Sequence, residues 1–208
     1  MSSLVLIFSG NKVGSGFFVD KGLILTAAHV IDDGPVQAYW LAGGCINANS
    51  HITEFPLACP LEVETVMNKK RADIAILRSK RVLDHMPTLP LRTSYTAPIG
   101  TEIGILGFPL RDVAGKKTYI PVLTTGIISA YQSFIFEGEG SESFYWVDAL
   151  TMAGFSGGPV FLLPSGEIVG VASAKNPTAD PAGVSFGFVS VINNIRDELA
   201  ALQPKSQE

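Results

Sequence analysis

Three short strings occur in fixed order along this chain: Thr26-Ala27-Ala28-His29, Asp73-Ile74-Ala75-Ile76-Leu77 and Gly154-Phe155-Ser156-Gly157-Gly158-Pro159. The order histidine, aspartate, serine restricts the fold more than any other feature. A serine hydroxyl is hardly ionised at neutral pH. It becomes a nucleophile only beside a base, and the base needs a third group to fix its tautomer and steady its cation. Gly154-x-Ser156-x-Gly158 formally fits the nucleophile elbow of α/β-hydrolases, but that fold places its histidine after the serine. His29, His51 and His85 all precede Ser156, so the elbow has no base. A cysteine nucleophile is disfavoured because serine holds the position.

Taken singly, each residue has a plainer reading. A serine among glycines is usually a turn, a lone histidine a hydrogen-bonded structural residue, and an aspartate before an apolar run a strand-entry or capping residue. The joint pattern changes this. His29 and Asp73 are 44 positions apart, and Ser156 follows after nearly twice that distance. Glycines around Ser156 allow unusual dihedrals and close approach of a carbonyl, as an oxyanion hole of backbone N–H groups requires. Small residues before His29 leave room for an imidazole at a barrel edge, and Asp73 opens a buried-strand signature.

Together the strings resemble the trypsin-like, chymotrypsin-fold serine peptidases, in look nearest the cysteine-poor bacterial protease domains of the HtrA/Deg type. The resemblance implies an all-β fold of two six-stranded antiparallel β-barrels with a C-terminal helix. It implies a serine endopeptidase using a catalytic triad of His29, Asp73 and Ser156, with the N–H groups of Gly154 and Ser156 as oxyanion hole. It also implies that Ser173 ends a strand beside the site and hydrogen-bonds the aspartate. Leu150 falls at the base of the substrate's P1 pocket, Ala174 on its approach strand and Phe186 on its far wall. These uncharged residues lead to an expected preference for small to medium apolar P1 side chains. Two rival readings use the same fold: a non-catalytic binding module with a collapsed oxyanion loop, and a self-processing protease acting once on its own chain.

The chain departs from the secreted digestive branch. Phe155 stands where many members carry an aspartate that receives a freed N-terminal amine, so activation by N-terminal cleavage is not expected. Only Cys45 and Cys59 are present; two thiols are expected, which fits a reducing compartment. With the sequence ending at Glu208, the peptide-binding module that follows the HtrA-type protease domain is not expected.

Composition agrees. Of 208 residues, 47% are hydrophobic and 16% charged, enough for a sizeable core, and 21 Gly with 13 Pro suit many short strands joined by turns. A net charge of −4 leaves no basic footprint for nucleic acid. No apolar stretch approaches the roughly 18 residues of a membrane span. The start, Met1 to Phe8, lacks a basic n-region. A cytoplasmic polypeptide-cleaving enzyme is therefore expected, with no cofactor, metal, nucleic-acid or membrane partner.

Strands are expected at 4–8, 16–19, 23–26, 36–40, 61–66 and 74–77, then at 102–107, 119–128, 144–147, 159–163, 168–173 and 184–189. A proline-rich connection lies between the two groups. Apolar residues at Val191, Ile192, Ile195, Leu199 and Leu202 have helical spacing. The expected division is an N-terminal barrel over 1–90, a C-terminal barrel over 91–190, and a helix and tail over 191–208. The run Glu137 to Glu142 reads as an acidic, solvated loop.

Overall fold

The computed structural model describes residues 3–41, 58–82, 87–113, 116–136, 140–173 and 186–202. The first group of strands is β1 (Leu4–Ser9), β2 (Lys12–Asp20), β3 (Leu23–Thr26), β4 (Val36–Leu41), β5 (Ala58–Leu61), β6 (Val63–Lys69) and β7 (Ile74–Ser79). They form one antiparallel sheet in the order β5-β4-β1-β2-β3-β7-β6. The expected strand at 61–66 is two strands, so the sheet has seven members where six were expected. Its two outer strands are joined by a single residue, Glu62, whose carbonyl accepts from the Lys80 N–H at 2.9 Å. A sheet whose opposite edges are consecutive in the chain must curl back on itself. This makes a half-barrel and not a fully hydrogen-bonded ring.

The second group closes completely. It comprises β8 (Glu102–Gly107), β11 (Val122–Phe136), β12 (Gly140–Val147), β13 (Pro159–Leu162), β14 (Ile168–Ser173) and β15 (Gly187–Val191), in the cyclic order β11-β12-β15-β14-β13-β8. Closure leaves its strands no free edge where they pair. Between β8 and β11 sits a hairpin that the sequence did not suggest, β9 (Leu110–Val113) with β10 (Lys116–Tyr119). The C-terminal segment starts as a 3₁₀ turn, Ile192–Ile195, and continues as α1 (Arg196–Leu202).

Central strands read as unbroken apolar runs because both faces are covered. All six residues of β14 are buried, as are the first four of β7. One apolar cluster joins the two sheets: Leu4, Phe17, Leu25 and Ile76 from the first, Phe108, Ile168 and Val171 from the second, and Ile192, Ile195 and Leu199 from the C-terminal segment. The halves therefore share a core. The seam between them is where polar groups meet.

Glu142 corrects the solvated-loop reading. It lies in β12 and is buried, because Lys69 at the end of β6 reaches it at 3.4 Å. The same amine lies 3.0 Å from Glu198 and donates to the Asn194 carbonyl at 2.6 Å. Burial pushes the Glu142 pKa up, and Lys69 only partly offsets this. Lys69→Met should therefore destabilise the fold by about 1–2 kcal/mol at neutral pH, below the loss from a fully buried pair because the lysine stem is a third exposed. Glu142 binds its proton more readily folded than unfolded, so its penalty is fully relieved only below the ordinary glutamate range and grows as pH rises through its folded value. Urea unfolding at pH 7 and pH 4.5 checks this: the gap between variant and wild type should narrow at the lower pH.

Candidate active site

His29 is carried by a 3₁₀ turn, Ala28–Val30, that leaves the end of β3. Asp73 ends the turn after β6. It is the only non-glycine with positive φ among the described residues, at 51°, a region open to aspartate at modest cost. This twist turns both the backbone and the carboxylate of Asp73 toward the histidine turn. The Ala28 N–H donates to the Asp73 carbonyl at 3.2 Å, and the His29 N–H to Asp73 Oδ1 at 3.0 Å. The His29 ring places Nδ1 at 2.8 Å from Oδ2 and 3.0 Å from Oδ1. Ser173, at the end of β14, donates its hydroxyl to Oδ2 at 2.5 Å.

The aspartate is 4% exposed. Burial alone would push its pKa up. The hydrogen bond and charge of the His29 ring, the Ser173 hydroxyl and the His29 N–H together outweigh burial and hold it below the ordinary carboxylate range. An ionised carboxylate only accepts, so Nδ1 carries a ring proton, and in the neutral form of the ring the lone pair is the one on Nε2. The Lys12 amine donates to the His29 carbonyl at 2.8 Å and steadies the turn from β2.

Ser156 belongs to the tight loop entering β13. Gly154 and Gly157 both have positive φ, 99° and 86°. A β-carbon at Gly154 would run into the Phe108 carbonyl, and one at Gly157 into the Ser15 carbonyl and the Thr26 hydroxyl. Only glycine fits either place. Gly157 thus lies on Thr26 and Ala27, immediately before His29, so the structure brings the Ser156 loop and the histidine turn onto one seam.

Three consecutive carbonyls of this loop are engaged. Ala153 accepts from Leu110 N–H at 3.2 Å, Gly154 from the Ser15 hydroxyl at 2.7 Å, and Phe155 from Gly158 N–H at 2.9 Å. In a trans peptide the N–H points away from the preceding carbonyl. The N–H groups of Gly154 and Ser156 accordingly face away from these partners, and neither donates to a protein group among the described residues. Ser156 itself is 4% exposed. Among the described residues no hydrogen bond joins its hydroxyl to the His29 ring, a contact that commonly tightens only when substrate is bound.

The remaining candidate residues are less tightly gathered. Gly187 backs onto Val147, Ala149 and Thr151, which sets exposed Leu150 near the start of β15. Phe186 is also exposed, its ring 6.1 Å from that of Trp146. Ala174 lies outside the described residues, as does Cys45, so the expected thiol pair is not described. Phe155 is buried in the core of the second barrel. Among the described residues no cluster of metal-ligating side chains occurs, and no helix is long and apolar enough to cross a membrane. Ser15 was not singled out from the sequence.

Comparison with known proteins places the chain in a family. Residues 14–171 match the family model described as "Trypsin-like peptidase domain". Two relatives are named probable periplasmic serine endoprotease DegP-like. The Buchnera aphidicola protein is 27% identical over 91% of this chain and 37% of its own length, and the Rhizobium meliloti protein 30% identical over 89% and 33%. The serine endoprotease DegS of Salmonella typhimurium is 27% identical over 90% of this chain and 48% of its own. The chain thus spans between a third and a half of these relatives. Among solved structures, Rv3671c protease from M. tuberculosis in its active form superposes with TM-score 0.71 at 24% identity, covering 100% of this chain and 83% of that one. The MamO protease domain from Magnetospirillum magneticum superposes with TM-score 0.67 at 20% identity, covering 98% and 97%. The word periplasmic in two of the relatives' names overturns the expected cytoplasmic location. An apolar opening strand without basic residues does not report a compartment.

Proposed function

Since the chain belongs to the trypsin-like peptidase domain family, of the HtrA/DegP type, we propose that it hydrolyses internal peptide bonds of polypeptides through Ser156, His29 and Asp73. The observation that carries the proposal is the His29–Asp73 contact, with Nδ1 committed to a buried, ionised carboxylate, so that Nε2 is the ring nitrogen left to take a proton. In the first step the Ser156 oxygen bonds to the substrate carbonyl carbon while its proton passes to Nε2. The carbonyl oxygen takes the negative charge and is held by the N–H groups of Gly154 and Ser156. Collapse breaks the C–N bond, and the imidazolium gives its proton to the leaving amine. A water deprotonated by Nε2 then attacks the acyl-enzyme and releases the acid. Asp73 stays ionised throughout and stabilises the imidazolium. The relatives' compartment, the periplasm, is the one we assign.

Leu150 and Phe186 support an uncharged P1 pocket: a buried substrate cation there would be uncompensated. Peptide-library cleavage by the wild type should favour Ala, Val or Leu at P1, with steps of about 1–3 kcal/mol per methylene. Dominant cleavage after Arg, Lys or Glu would show the pocket to lie elsewhere. The outward-facing N–H groups of Gly154 and Ser156 argue against a binding module with a collapsed loop. Turnover of added peptides separates the proposal from single self-cleavage.

A further inference from the structure

Ser15 sits in mid-β2 with 0% exposure, and the reaction steps above make no use of it. Yet its polar atoms reach the nucleophile loop from the opposite sheet. The Ser15 N–H donates to the Ser156 carbonyl at 2.7 Å. Its hydroxyl donates to the Gly154 carbonyl at 2.7 Å and accepts from the Phe108 N–H at 2.9 Å. Its carbonyl accepts the Thr26 hydroxyl at 2.7 Å. A hydroxyl that both donates and accepts inside a dry seam has one orientation open to it.

The consequence falls on Gly154, a glycine whose φ of 99° lies where other residues are strained. The Leu110 N–H holds the peptide plane before it, through the Ala153 carbonyl. The Ser15 hydroxyl holds the plane after it. With both planes fixed, the Gly154 N–H has a single direction. The Ser15 N–H does the same for the carbonyl of Ser156. The surroundings are matched to a small polar side chain: a β-carbon on Gly107 would come within 3.1 Å of the Ser15 oxygen.

We propose that Ser15 is a positioning residue that pre-sets the oxyanion-binding N–H groups of Gly154 and Ser156 before substrate arrives. This rests on the triad reading given above. Preorganised donors act on the transition state and not on substrate binding. Removing their support should therefore show in kcat and leave KM nearly alone.

The test compares wild type, Ser15→Ala and Ser15→Cys on one peptide substrate. Rates are divided by the number of sites labelled at completion by a fluorophosphonate, so that unfolded molecules do not count. Ser15→Ala should lose about tenfold to a hundredfold in kcat per labelled site, less than the loss of an oxyanion donor itself, with KM within twofold. A peptide aldehyde, whose adduct places an oxygen among the same N–H groups, should bind more weakly by a similar factor. Ser15→Cys, near in size but a poorer donor, should fall between, and it carries the test alone if the alanine variant does not fold. Unchanged kcat per site and unchanged aldehyde affinity would overturn the inference while leaving the triad standing. A wild type that neither cleaves peptides nor takes the label would overturn the triad reading, and this inference with it.

Discussion

Ser156→Ala should lower kcat by about 10⁶-fold and abolish fluorophosphonate labelling, while the protein stays folded. The size follows from the way triad members act: they move one proton and one bond together, so removing the nucleophile removes the benefit of the other two. Persistence of the fold follows from the structure. The Ser156 hydroxyl makes no hydrogen bond to another described residue, whereas the Ser156 carbonyl, which alanine keeps, is the group bound by Ser15. The thermal midpoint should move little, since no buried partner is orphaned. Initial rates, labelling and a melting curve on the same preparation decide it. Labelling of the alanine variant at the wild-type rate would remove Ser156 from the reaction.

Asp73→Asn should cost on the order of 10⁴-fold in kcat/KM, the magnitude such an amide has in a serine triad. The carboxylate accepts the Nδ1–H, the His29 N–H and the Ser173 hydroxyl. An amide has a donor where one oxygen stood. If its NH₂ group takes the place of Oδ2, it faces both Nδ1 and Ser173: Nδ1 must accept, the proton moves to Nε2, the base is lost, and the Ser173 hydroxyl loses its acceptor. If it takes the place of Oδ1, the His29 N–H loses its acceptor and the imidazolium still lacks its counter-charge. Stability carries a second signature. Asp73 is held below the ordinary carboxylate range, so its contribution is fully present above an unfolded pKa of about 3.9 and disappears as pH falls through the lower folded value. Acid unfolding curves should therefore converge for wild type and Asp73→Asn below that window and separate above it. A variant retaining a tenth of wild-type kcat/KM would show that the aspartate does not orient the base.

Strands 23–26, 102–107 and 168–173 were legible to the residue, because each is an apolar run bounded by turn residues or a polar break. The expected strand at 61–66 failed for a reason that periodicity cannot detect. Alternation continues through Glu62, but the partner changes there from β4 to β7. Likewise 119–128 hid a boundary at Pro121, which has no N–H for a ladder, and β11 runs on to Phe136 through Ser129-Ala130-Tyr131-Gln132-Ser133, which has no strict alternation to mark it as strand. The Leu110–Tyr119 hairpin is rich in charge and carries little apolar pattern. The structure brings His29 and Ser173 onto Asp73; His29, Asp73 and Ser156 were singled out by their joint order and Ser173 by the family resemblance. Ser15 was not, because Gly-Ser-Gly reads as turn punctuation unless the backbone it faces is known, and Glu142 read as solvated because its lysine is distant in the chain.

The seam contacts have a temporal meaning as well. Ser15 meets Gly154 across 139 positions, Ser173 meets Asp73 across 100, and His29 meets Asp73 across 44. Contacts of such long range are paid for in loop entropy and form late in folding. On the proposed triad, a chain part-way to the native state has its histidine and aspartate and its Ser156 loop on separate, unassembled pieces. Such a chain would not yet hydrolyse itself or unfolded copies around it. On that reading, spreading the site across both halves ties peptide hydrolysis to completion of the fold.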